Sequence, residues 1–287
     1  MTYSTISCAV EARVMTLTLD RLEQMNAFTL EMADELVDAF TRASEDDSVG
    51  AIIVTGAGKA FCAGMDLSAD GNVFGLDESQ RPTMASMRQA TEAELARNGV
   101  RDEGGRVTLA IFNCKKPVIA AINGAAVGIG ATMTLAMDVR MASEKARIGF
   151  VFGRLGVTPK ACSTWFLPRL VGPQQALEWV LSADIFDAQE GLRCGLLRSV
   201  HAPETLLDEA KALARKFIDN RSPVAVALAR QMLWRNAAAR HPVEAHHVDS
   251  LAMFYTSIAD GKEGVAAFLE KRPPNFSSVA SKMPNFI

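Results

Sequence analysis

Two short apolar runs, Ala51-Ile52-Ile53-Val54-Thr55-Gly56 and Val118-Ile119-Ala120-Ala121-Ile122, each lead straight into a loop of glycine and alanine. A strand with one wet face alternates apolar and polar residues. A continuous apolar run of this length belongs to a strand covered on both faces. Two such strands with helical patterns between and after them predict an α/β chain with a parallel sheet. In such sheets the loops at the carboxyl ends of the strands are where ligands bind.

The rest of the chain is read around these strands. Residues 4–10 and 13–20 alternate and predict a hairpin. Thr29 is an N-cap residue type, and Met32, Leu36, Val37 and Phe40 follow at helical spacing, so a helix is expected from Thr29 to about Ser44. Residues 57–66 read as a loop of small residues. Residues 68–105 are polar and rich in Gly and Asp, and read as a surface excursion with one helix near 84–98 and a possible lid function. A glycine turn, Asn123–Gly130, feeds an apolar helix from about Gly130 to Met137, and Val139–Ala142 is a further strand. Beyond Gly172 the chain is mostly helical, with amphipathic segments at 203–219, 222–239, 242–259 and 262–270. Residues 1–200 are therefore expected to form the core and 201–287 a helical region whose apolar faces need a cover, such as a second subunit.

Composition narrows the function. A net charge of -3 gives no general affinity for nucleic acid or anionic membrane. The five cysteines are scattered with no C-x-x-C pair, as expected of a reduced, cytoplasmic protein. The N-terminal segment lacks the pattern of a signal peptide, and no apolar stretch reaches the roughly 20 residues of a membrane span. The four histidines all lie in the last third, and nothing has the spacing of a metal site.

The glycine loops carry the chemistry. The first is Gly56-Ala57-Gly58-Lys59-Ala60-Phe61-Cys62-Ala63-Gly64-Met65-Asp66-Leu67; the second is Asn123-Gly124-Ala125-Ala126-Val127-Gly128-Ile129-Gly130. Small residues let backbone approach a ligand and let successive N–H groups point outward. The second loop opens a helix, whose first N–H groups favour negative charge.

In these loops and their surroundings the chain resembles the crotonase (enoyl-CoA hydratase/isomerase) superfamily over nearly its whole length. Arg21-Leu22-Glu23-Gln24-Met25-Asn26-Ala27 is similar to the family's R-P-x-x-x-N-A, with Leu22 in place of proline. Phe61–Leu67 matches F-x-A-G-x-D-L, and Lys116–Gly124 matches K-P-x-I-A-A-[VI]-N-G. Asp138 and Ala142, then Pro168–Gly172, Ala176-Leu177 and Gly195–Leu197, follow in the family's order. The resemblance implies a spiral of ββα units ending in helices that form a homotrimer or a hexamer. It implies an acyl-CoA thioester as substrate, with coenzyme A entering as part of it and no separate cofactor. It implies an oxyanion hole from the backbone N–H groups of Met65 and Ile129, where Ile129 replaces the usual glycine and its side chain is expected to narrow the pocket. Backbone from Ala60 to Ala63 is implied for adenine, with Gly64, Asp66 and Gly128 in the binding loops. Arg21, Lys59 and a neighbouring subunit's copy of Lys271 are implied as candidates for the phosphates.

The same resemblance exposes a departure. Hydratases of this family use carboxylates to move a proton and activate water. Their positions correspond here to Thr132 and Phe152, and a third position, used by some isomerases, corresponds to Lys160. None of the three is an acid. Lys160 is expected at the pocket mouth in solvent, where it could act as a base only if burial lowered its pKa. Alternatively it pairs with an acid of the excursion such as Asp77 or Glu78, and residues 68–105 could also provide a replacement acid. Asp66 and Asp138 are expected to tie loops, and Cys62 to be a packing residue. The residues thus leave three readings: an enzyme assigned as an enoyl-CoA hydratase, a Δ3,Δ2-enoyl-CoA isomerase-like enzyme, and a non-catalytic binder of acyl-CoA. The fold also supports hydrolysis, decarboxylation and dehalogenation.

Overall fold

The structure is a computed structural model that describes residues 3–68, 70–91, 94–95 and 98–286. The predicted hairpin forms from β1 (Ile6–Glu11) and β2 (Val14–Leu19). β2 then pairs in parallel with β3 (Ala51–Gly56). The sheet continues, still parallel, through β5 (Val118–Ile122) and β7 (Val139–Ser143) to β10 (Ser199–His201). The residues Ile52, Ile53, Val54 and Ile119 are fully buried, as their unbroken apolar runs require.

A second, smaller sheet runs through the glycine loops. It consists of β4 (Ala60–Cys62), β6 (Ala125–Val127), β8 (Arg147–Gly149) and β9 (Ile185–Asp187), in that order. β4, β6 and β8 are parallel, and β9 closes the edge antiparallel. Each strand of the large sheet from β3 to β7 is thus followed at once by one of the small sheet. The loops expected at 57–66 and 123–130 each contain one of these strands. Runs of three residues show no periodicity, which is why the sequence reads as loop there.

The helix Leu30–Glu45 begins where Thr29 accepts the Met32 N–H at 3.1 Å, and it buries Met32, Leu36 and Phe40. The excursion departs from expectation. Within it one helix spans Met84–Gln89, opened by a reciprocal Thr83–Ser86 cap; Glu94 and Leu95 are also helical, and the rest of the expected helix falls in part at 92–93 and 96–97, outside the described residues. A second helix, Glu103–Asn113, starts inside the segment read as irregular, with the Asp102 carboxylate accepting the Gly104 N–H as its cap. The apolar helix expected from Gly130 is one α-turn, Ile129–Thr132, continued as a 3-10 turn to Ala136.

Of the four C-terminal helices, Leu206–Ile218 covers the far face of the large sheet, packing Ala210, Leu213 and Ala214 on Ile53, Ile119 and Met141. Pro223–Asn236 is anchored by Arg230. Its guanidinium donates to Asp138 Oδ2 at 2.8 Å and to the carbonyls of Ile111 (2.8 Å) and Phe112 (3.0 Å) at the end of the Glu103–Asn113 helix. A cation there meets the negative end of the helix and its unsatisfied carbonyls. The helices Pro242–Ile258 and Asp260–Glu270 keep an apolar face in the open, including Met253, Phe254, Phe268 and Leu269. No helix among the described residues is long and apolar enough to cross a membrane.

Candidate active site

The small sheet brings the two glycine loops into direct backbone contact, Ala60 beside Ala125 and Cys62 beside Ala126. The contact leaves no room for side chains. A Cβ on Gly124 would lie 1.9 Å from the Lys59 carbonyl oxygen, and one on Gly130 would lie 2.2 Å from that of Cys62. Gly128 has φ +55° and ψ -118°, backbone that only glycine adopts without strain. Two asparagines hold the first loop. Asn26 Nδ2 donates to the carbonyls of Ala57 (2.9 Å) and Ala60 (2.8 Å), and Asn123 Nδ2 donates to those of Gly56 (2.9 Å) and Gly58 (3.0 Å).

Where the loops emerge, Met65 and Ile129 line one cavity of about 290 Å³. The Met65 strand segment pairs with Phe28 through the Gly64 carbonyl and the Asp66 N–H, which leaves the Met65 N–H out of the ladder. Ile129 is the first residue of its helix, so its N–H has no intrahelical acceptor. Neither N–H finds an acceptor among the described residues. Gly64 and Gly128 flank them, and Phe74, Phe152 and Val157 also line the cavity.

The three positions of the missing acids do not behave alike. Phe152 and Lys160 line the cavity. Thr132 is fully buried, points its hydroxyl at the Ile129 carbonyl 3.5 Å away, and is not among the lining residues. Among the described residues, the charged side chains that line the cavity are Arg154 and Lys160, and no carboxylate does.

One expectation about this cavity is corrected. Lys160 is not a solvated side chain at the mouth. It is 17% exposed, lies 5.3 Å from the centre of the Phe74 ring, and pairs with Asp102 at 3.4 Å. The alternative expectation holds in its general form, since Asp102 belongs to the 68–105 excursion, but the partner is neither Asp77, which accepts from Ser79 and Gln80, nor Glu78, which accepts from Asn72. Ile129 lines the cavity and its side chain is packed in place. It is 1% exposed and fills the notch at Gly104, where a Cβ would fall 2.4 Å from Ile129 Cδ1. Sequence reading passed over Asp102, Gly104 and Phe74. The one available signal was Asp102 in N-cap position before Val107, Ala110 and Ile111, masked by the Gly104-Gly105 pair.

The remaining candidates divide. Asp66 is bound by Arg21 at 2.9 Å and accepts the Ser68 N–H and hydroxyl; these bonds, with Ser68 first, bring its carboxyl down to about 2. Arg21 is thereby held to Asp66 and to the Ala27 carbonyl. Asp138 accepts from the Val118 N–H, Arg230 and Trp234. Both acids tie loops and neither lines the cavity. Burial pushes the Cys62 thiol up to about 12, which fits packing and not nucleophilic chemistry. Lys59 and Lys271 are exposed, and Ala63 lines the cavity beside Gly64.

Residues 9–279 match the enoyl-CoA hydratase/isomerase family model, so the chain belongs to that family, and its mixed α/β architecture is the crotonase fold. It is 40% identical over 266 residues to an enoyl-CoA hydratase of Alternaria alternata, covering 92% of this chain and 82% of that one. It is 33% identical over 272 residues to the 1,2-epoxyphenylacetyl-CoA isomerase of Escherichia coli, covering 93% and 96%. The crystal structure of a probable enoyl-CoA hydratase/isomerase from Mycobacterium abscessus superposes with a TM-score of 0.81 at 30% identity, covering 95% and 98%.

Proposed function

We propose that the chain is an acyl-CoA enzyme that binds a thioester between the glycine loops and stabilises the enolate form in an oxyanion hole made by the N–H groups of Met65 and Ile129. The observation that carries this reading is the pair of acceptor-less N–H groups on residues that line one largely apolar cavity. A fixed donor aimed at developing negative charge lowers a barrier by about 3 kcal/mol. With Thr132, Phe152 and Lys160 where relatives are expected to carry acids, efficient hydration has no pair of carboxylates to move protons and water. The reaction is then closer to isomerisation or another single-proton step.

A second reading, a binder that does not turn acyl-CoA over, is favoured by the lack of a carboxylate among the described lining residues. Calorimetry with acyl-CoA, run beside turnover of 2-enoyl and 3-enoyl thioesters, separates the readings. We expect binding, slow or no hydration, and isomerisation at least equal to hydration. Absence of binding at millimolar acyl-CoA would sink the site itself. We further propose that a homotrimer or hexamer covers the open apolar face of the last two helices; a stable monomer of about 31 kDa in sedimentation would rule that out.

A further inference from the structure

The Lys160 ammonium is under-partnered for a side chain only 17% exposed. An ammonium has three N–H donors. Lys160 has one charged partner among the described residues, and its 3.4 Å separation from Asp102 Oδ1 is longer than the roughly 2.7–2.9 Å of a charge-assisted hydrogen bond. Its other neighbour is the Phe74 ring, which attracts the charge but accepts no ordinary hydrogen bond.

Asp102 is in the opposite condition. Its Oδ1 accepts the Gly104 N–H at 3.1 Å and its Oδ2 accepts the Ala161 N–H at 2.6 Å. The carboxylate is fastened to the two backbone segments that flank this corner of the cavity, so it is a fixed countercharge that sets where Lys160 can reach. Arg154, the other charged lining residue, is 53% exposed and paired with Asp184 at 3.2 Å, so it sits at the rim. The unspent hydrogen-bonding capacity of the wall is therefore concentrated at Lys160 Nζ.

We infer that Lys160 makes the cavity selective for acyl thioesters whose acyl chain carries an oxygen acceptor, a keto or carboxylate group, besides the thioester oxygen. This rests on the reading that the acyl group enters between the glycine loops. A plain alkyl chain would cover the ammonium and take away its remaining water, at a cost in free energy. A chain with an oxygen supplies the missing acceptor. A site built around such a donor discriminates strongly against the analogue that lacks the acceptor.

The test uses three CoA thioesters of equal acyl length: butyryl-CoA, 3-oxobutyryl-CoA and succinyl-CoA. Their affinities are measured by calorimetry for the wild type and Lys160→Met. In the wild type, at least one oxygenated thioester binds about tenfold or more tighter than butyryl-CoA. A lead for 3-oxobutyryl-CoA sets the acceptor beside the thioester; a lead for succinyl-CoA sets it at the chain end. Lys160→Met brings the ratio close to one by weakening the oxygenated ligands, with butyryl-CoA unchanged or tighter. Should Lys160→Met fail to fold by circular dichroism, Lys160→Gln serves, with a reduced ratio expected. Equal or better wild-type binding of butyryl-CoA overturns the inference while leaving the acyl-CoA reading intact. So does a uniform loss for all three ligands in the variant, which would assign Lys160 to the CoA moiety. If none of the three binds the wild type, the acyl-CoA reading falls and the inference with it.

Discussion

One wall of the cavity is built from close-packed glycine loops and another from the Phe152–Lys160 stretch. On the backbone wall the loops around Gly64 and Gly128 touch so closely that Gly124 and Gly130 have no space for a single methyl group. In the Phe152–Lys160 stretch, Gly153 and Gly156 lie outside the cavity lining; Gly153 has its nearest neighbour 4.0 Å from a notional Cβ, and Gly156, at φ +69°, has nothing within 4 Å. Phe152, Val157 and Lys160 line the cavity from this stretch. A backbone wall admits few residue types, because changing them moves the chain. A side-chain wall accepts exchanges that leave the fold alone. This explains how the chain keeps the family's glycine loops while carrying phenylalanine and lysine at residues 152 and 160, where acids are expected; the buried Thr132 lies outside this account.

The largest expected effect breaks the backbone wall. Gly130→Ala forces a methyl group against the Cys62 carbonyl, and urea unfolding should show a loss of about 3 kcal/mol or more. Gly153→Ala, in the Phe152–Lys160 stretch, should stay within about 0.5 kcal/mol. Comparable losses for the two would end the contrast drawn above.

A smaller effect remakes the chemistry of the side-chain wall. Lys160→Glu restores a carboxylate where isomerase-like relatives are expected to hold theirs, but it sets that carboxylate against Asp102, and like charges raise each other's pKa. Combining it with Asp102→Asn keeps the helix cap through Oδ1 and removes the repulsion, at the cost of the acceptor for the Ala161 N–H. The double variant should isomerise 3-enoyl-CoA at least about tenfold faster than wild type, exceed the Lys160→Glu single variant, and remain a poor hydratase. A wild type that already turns over at ordinary enzyme rates, slowed by the double change, would show that Lys160 or an unrecognised acid does the work.

The smallest effect concerns the Asp66 tether beside Met65. Its carboxyl falls from 3.8 to about 2 on folding. A depressed pKa lends stability that is complete above about pH 4 and is lost as pH falls toward 2. Asp66→Asn should therefore cost under about 1 kcal/mol near neutrality, as an ion pair near the surface does. It should also flatten the acid limb of stability between pH 4 and 2. An unchanged acid limb would mean that the tether does not contribute.

Elements whose signals are local were legible in the sequence. The β1–β2 hairpin announces itself by alternation, the first helix by the Thr29 cap, and β3 and β5 by unbroken apolar runs. β4 and β6 escaped notice because three-residue strands are defined by the neighbour they pair with. The start of the Glu103–Asn113 helix was hidden by two glycines. Gly104 is there for a tertiary reason, the Ile129 side chain that fills its place.

The same division runs through the site. The sequence alone determined that Met65 and Ile129 stand at the ends of glycine loops and that residues 132, 152 and 160 are not acids, because these are matters of residue type and short-range spacing. The tertiary structure decided that Met65 and Ile129 line one cavity, that Thr132 is sealed away from it, and that Asp102 is the acid that meets Lys160. Those outcomes depend on which strands and helix starts lie side by side. A carboxylate finds its cation through the packing of segments far apart in the chain, and residue types and local spacing carry no record of that distance.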